Sequence, residues 1–163
     1  MSATTVTTAP RQTLAPAARR AVLTVHIVAS VGLLGDVAGF LAVAIRAVTT
    51  DDPELAAASY DILAMFSTAF GIPLSFLALG SGILLGVTSK WGVLRYWWVT
   101  GKLIIIASVI LVGALVLGPG VEAMRNGGGG AEARIVAGAA YDVIALTIAT
   151  GLSVYKPRRR RRP

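Results

Sequence analysis

Residues 21–45 read AVLTVHIVASVGLLGDVAGFLAVAI. This apolar run of about 25 residues lies between the Arg19-Arg20 pair and Arg46, and His26 and Asp36 are its ionisable side chains. About 20 helical residues, rising about 1.5 Å each, cross a hydrocarbon core. The run is too long for a strand and lacks the period-two alternation of a half-buried one. In lipid, only a helix satisfies its own backbone groups within the segment. Residues 21–45 are therefore predicted to be a membrane-spanning helix.

Three further runs have the same character. One ends near Thr88 and reaches back at least to Phe66, with Ala56 as an outer limit. Another covers 96–117 and is expected to stop at Gly118-Pro119-Gly120, a strong helix breaker. The last covers 135–154. The whole chain agrees: 55% of its 163 residues are hydrophobic and 14% charged, with a mean hydropathy of +0.74, too apolar for an ordinary soluble domain. The expected fold is all-α, a polytopic four-helix transmembrane bundle. It spans 21–155 between a disordered tail, 1–20, and a basic tail, 156–163. The first run exceeds the apolar region of a signal peptide and three spans follow it, so it is expected to stay as a span.

Charge sets the expected orientation. The formal charge is +7, but Lys156 and Arg158 to Arg162 crowd into the last positions, which makes a tail and not a nucleic-acid-binding face. Arg11, Arg19 and Arg20 precede the first span, and Lys90 and Arg95 lie in the link between the second and third. The other two connections hold Asp51, Asp52 and Glu54, then Glu122 and Glu132, against Arg46, Arg125 and Arg134. The positive-inside rule puts both termini in the cytoplasm. Trp91, Tyr96, Trp97 and Trp98 surround the basic link, as interfacial anchors do. The segment 126–130, Asn followed by four Gly, reads as a flexible linker.

Several chemistries are absent from the sequence. No Cys is present, which removes disulfides and thiolate sites. No HExxH, phosphate loop or Ser/His/Asp set appears, and no catalytic residue is assigned. A single His cannot supply a bis-histidine haem site within one chain. This points away from an enzyme and predicts no cofactor.

Ionisable groups inside spans are expensive, which makes them functional candidates. Helical rise puts His26 and Lys102 about 8 Å from the cytoplasmic end, Asp142 near the midplane, Asp36 slightly further out, and Asp61 near the outer interface. Each also has a packing role open to it. Lys102 can snorkel to the headgroups, His26 can hydrogen-bond between helices, and Asp61 can sit in water at the span mouth. Asp36 and Asp142 must face the bundle, either as interhelical hydrogen-bond partners or as a proton or ion site. Gly35/Gly39 and Gly82/Gly86, each four apart, suit close helix contact. Gly71-Ile72-Pro73 should kink the second span. The heptapeptides 58–64, ASYDILA, and 139–145, AAYDVIA, match; duplication and coincidence both remain open.

The stretch 90–103, KWGVLRYWWVTGKL, resembles a signature of the actinobacterial DUF2269 family of small integral membrane proteins, as do Val25-His26-Ile27 and Gly71-Ile72-Pro73-Leu74. The likeness runs from about Ala21 to Tyr155. It implies a four-span fold and the plasma membrane of an actinobacterium, and no activity. The early His26 is also similar to copper-resistance and protoporphyrinogen-oxidase-like membrane proteins. The expected function is a non-enzymatic accessory or oligomerising membrane component, within the bilayer as a homo-oligomer or in a larger complex and without nucleic acid. Two alternatives stand beside it: a haem- or copper-linked protein using His26, and a proton- or ion-coupled carrier using Asp36 and Asp142.

Overall fold

A computed structural model describes residues 14–88 and 97–155. Within them, four helices are long and apolar enough to cross a membrane: α1 (Pro16–Thr49), α2 (Pro53–Val87), α3 (Trp97–Arg125) and α4 (Glu132–Tyr155). They form an up-down ring in which α1 packs on α2 and α4, and α3 packs on α4 and α2. The loops 50–52 and 126–131 lie at one end, here the loop end. The outer ends of α1 and α4 and the α2–α3 link lie at the other, the tail end. Residues 1–13, the link 89–96 with Trp91 and Tyr96, and the basic tail 156–163 fall outside the described residues.

The all-α four-span expectation holds, but every helix outruns its apolar core. Pro16 at the first helical position starts α1 ahead of Ala21. The α2 helix starts at Pro53, well before Phe66, because Asp52 caps it: Oδ1 accepts from the Glu54 and Leu55 amides at 2.9 and 3.3 Å. Gly118-Pro119-Gly120 does not end α3, which continues to Arg125. Glycine and proline stop a helix only when nothing takes up their geometry. Here a π-turn over Gly113–Leu117 widens the helix just before Pro119. Helix α3 ends instead in a Schellman cap: the Gly128 amide bonds Ala123 O at 2.8 Å, the Gly127 amide bonds Met124 O at 3.2 Å, and Gly127 takes φ 76°. The Asn-Gly segment expected to be a linker begins as this cap.

The bundle is apolar outside and closely packed within. Val31, Ile104 and Leu115 are 64–70% exposed, a surface suited to lipid, whereas Ala29, Ala44 and Ala139 are fully buried. Lipid tails are as apolar as leucine, so association rests on close packing and not on removal of apolar surface from water. A Cβ at Gly138 would come within 2.9 Å of Leu117 Cδ2, which shows how tightly α3 and α4 meet. The core divides into two clusters. One, toward the loop end, centres on Phe40, Leu63, Val121 and Ile135. The other, toward the tail end, centres on Leu33, Val37, Val109 and Leu146. On α4, Asp142 lies in sequence between the residues of the two clusters, whereas Asp36 on α1 falls within the tail-end cluster, between Leu33 and Val37.

Candidate functional site

Prolines in α2 and α3 generate matched local structure. In α2, a π-turn over Ser67–Gly71 precedes Ile72-Pro73, and the Ile72 amide bonds Ser67 O. In α3, the turn Gly113–Leu117 precedes Gly118-Pro119, and the Gly118 amide bonds Gly113 O. The donor that an α-helix would supply to Thr68 O is the Ile72 amide, already used one residue earlier. The next amide belongs to Pro73, which has no N–H. The same count leaves Ala114 O without an intrahelical donor, between the Gly118 amide and Pro119. The prolines thus act on the hydrogen-bond ladder itself: neither Thr68 O nor Ala114 O has a backbone amide four or five residues on to accept from.

Both turns border a single cavity of about 440 Å³, which all four helices line. Asp36 enters it from α1 and Asp142 from α4, with Thr68 on α2 and Ala114 on α3. The rest of the wall is mainly apolar, including Leu33, Phe40, Phe76 and Leu117. Toward the loop end, Glu122 and Arg125 form its rim. Thr68, Ile72, Phe76 and Ala114 are exposed as well as lining, so the cavity also opens sideways between α2 and α3.

The two aspartates are the buried acids of the described chain. Asp36 is 9% exposed and Asp142 2%. One oxygen of each, Oδ1, is fully buried with no hydrogen-bond partner among the described residues. Asp36 has room because residue 71 is glycine: a Cβ there would stand 3.2 Å from Asp36 Oδ2. Ser108, which depth suggested as a partner for Asp142, instead accepts from Tyr141 at 2.7 Å and donates to Ile105 O. A carboxyl in an apolar wall either carries a proton or meets a cation. Ser67, Thr68 and Ser75, the hydroxyls on the α2 wall, donate to carbonyls of their own helix. The site therefore presents acceptors and holds back its donors.

A family model described as "Predicted integral membrane protein (DUF2269)" matches residues 20–155. The chain belongs to the DUF2269 family. No curated protein and no solved structure matches it. The family match takes in both aspartates, both π-turn prolines and His26 of this DUF2269 protein.

The remaining candidate residues lie apart from the cavity lining. His26 of the DUF2269 chain bridges α1 to α2: Nδ1 lies 3.1 Å from Ala78 O and 3.0 Å from Ser81 Oγ. Ser81 donates to Leu77 O, so Nδ1 carries the proton and donates to both oxygens. Its ring lies over Gly82, where a Cβ would stand 3.1 Å from Cε1. No group of three or more metal-ligating side chains forms among the described residues. Lys102 joins α3 to α4 through Ser153 Oγ at 3.2 Å, with its ammonium 4.9 Å from the Trp98 ring. Asp61 is exposed and accepts from Arg125 Nε at 2.8 Å; Arg125 also reaches Glu122 at 3.2 Å. Trp97 is 40% exposed at the tail end.

The matched heptapeptides occupy unlike environments. In 58–64, Tyr60 is buried and Asp61 exposed, whereas in 139–145 Tyr141 is exposed and Asp142 buried. Their common sequence does not mark two equivalent sites.

Proposed function

We propose that this DUF2269 protein is a non-enzymatic, proton-linked carrier of a small cation, with Asp36 and Asp142 as the exchanging groups. It acts in a bacterial plasma membrane with both termini in the cytoplasm, as the basic tails and basic link favour. The observation that supports the reading is that two carboxyls from different helices line one cavity, and one oxygen of each is fully buried without a hydrogen-bond partner among the described residues. Carboxyls serving packing alone would be expected to bond to each other or to a neighbouring helix. The cavity also reaches from the protein's middle to a charged rim, which gives a proton or cation a way in.

Infrared difference spectra of the purified protein between acid and alkaline pH test the assignment. A protonated carboxylic acid absorbs apart from a carboxylate, so each exchanging group gives a band that appears and disappears with pH. Asp36→Asn and Asp142→Asn should each remove one band, and each substitution should displace the other band if the groups sense one another. Two bands that no pH change alters, or that survive both substitutions, would end the proton-linked reading.

A further inference from the structure

The cavity's chemistry specifies more than a positive charge. Two oxygens of its lining acids, Asp36 Oδ1 and Asp142 Oδ1, have no protein partner among the described residues, and Thr68 and Ala114, whose carbonyls lack a backbone donor four or five residues on, line it as well. The titratable groups lining it are Asp36 on α1, Asp142 on α4, and Glu122 and Arg125 on α3, while α2 contributes none. Arg125, the cation of that set, is held at the rim by Asp61 and Glu122. A guest that satisfies these acceptors brings N–H or O–H donors with it. A bare metal ion fits poorly: a volume of about 440 Å³ belongs to the range of about 300–1,000 Å³ that takes organic ligands. Its wall is largely apolar, and its lateral opening passes Ile72 and Phe76.

Resting on the carrier reading, we propose that the cavity binds an amphiphilic primary ammonium, its three N–H groups shared among Asp36, Asp142 and the carbonyls of Thr68 and Ala114, its apolar body in the crevice between α2 and α3. A primary ammonium offers three N–H donors and one charge, and charge-assisted hydrogen bonds are about twice as strong as neutral ones. One charge matches one carboxylate; the second carboxyl keeps its proton. Starting from two protonated carboxyls, binding of R–NH₃⁺ releases one H⁺ to water, with no other bond made or broken. Phe40 and Phe76, both in the wall, give the ammonium aromatic faces as further neighbours.

Isothermal titration calorimetry of the full chain in detergent tests this, with hexylammonium as the probe and empty micelles subtracted. Saturable binding is expected, with one proton released as judged from buffers of different ionisation enthalpy. Hexyltrimethylammonium, which keeps the charge and lacks N–H groups, should bind about tenfold or more weakly. Asp36→Asn and Asp142→Asn should each weaken hexylammonium about tenfold or more. Ala114→Leu, which keeps both carboxyls and fills the cavity, should also weaken it, and sodium or potassium should not compete. Equal binding of the two probes would overturn the role given to N–H donors. Binding indifferent to all three substitutions would overturn the site. Absence of saturable binding while the infrared bands still titrate would remove the ammonium and leave the proton-linked reading standing, whereas bands that do not titrate would remove that reading first.

Discussion

Asp142→Leu is expected to make the bundle more stable while destroying its activity. The wild-type carboxyl is 2% exposed and its Oδ1 lacks a partner. A buried polar group left unsatisfied costs about 1–3 kcal/mol. Leucine removes that cost and leaves no other protein group unpaired, because no described hydrogen bond ends on this carboxyl. Its larger volume has somewhere to go, since residue 142 borders the cavity of about 440 Å³. The expected gain is thus up to about 1–3 kcal/mol, the usual sign when a strained functional group is replaced by a well-packed one. Asparagine remains polar and should recover little of it. The measurement is unfolding by dodecyl sulfate in mixed micelles, followed by tryptophan fluorescence. The unfolded reference lets the carboxyl reach water, so its desolvation belongs to the transition being measured. Asp61→Leu is the control: that side chain is exposed and already paired with Arg125, so no gain is expected. A leucine variant at 142 that is less stable than wild type by about 0.6–2 kcal/mol, the size of an interhelical hydrogen bond, would mean that Asp142 has a bonded partner. The argument from an unpaired oxygen would then be wrong.

Replacing Gly82 and Gly86 together with leucine should lower stability by about 1–3 kcal/mol, because the His26 ring occupies the space over Gly82; an unchanged melting temperature in detergent would refute that contact. Reporter enzymes fused at residues 1 and 163 should be active only when they are of a cytoplasmic type, and a periplasmic phosphatase signal from either end would overturn the orientation. Visible spectra and metal analysis of the purified protein should show neither a Soret band nor stoichiometric copper; either one would turn His26 from an interhelical bridge into a ligand.

The spans were legible because lipid imposes one rule on every segment, and long apolar runs such as 21–45 satisfy it in only one way. Helix ends were less legible, because hydropathy reports where lipid can be and not where hydrogen bonding stops. Asp52-Pro53-Glu54 carries an N-terminal signature in full view, an acidic cap followed by proline and glutamate, yet its acidity reads as loop. Burial was legible for Asp36 and Asp142 from depth alone. Their surroundings were not, since depth fixes neither rotation about the helix axis nor the choice of partner, as Ser108 and Tyr141 illustrate. The heptapeptide likeness, which left duplication and coincidence open, does not carry over to equivalent surroundings for the same reason: identical Tyr-Asp pairs can be rotated so that opposite members face the core.

The two prolines show what a local reading leaves out. In sequence, Pro73 follows Gly-Ile and Pro119 follows Leu-Gly, and each taken alone suggests a kink or a stop. Their effects become comparable only when the ladder is counted residue by residue. Both π-turns end with the residue before proline donating one place too early, and in both the next carbonyl loses its donors four and five residues on. A stranded carbonyl facing lipid would be expensive. Thr68 and Ala114 both border the cavity that holds the aspartates, where a guest with N–H groups can reach them. The proposed guest would give the two helix defects and the two unpaired acids a common physical explanation. Substituting both prolines by alanine tests it, because each substitution restores an amide that can satisfy its own helix. The variant should be more stable and should bind hexylammonium less tightly, with Asp36 and Asp142 untouched. Undiminished binding would show that the carbonyls contribute nothing, and that the aspartates alone define the site.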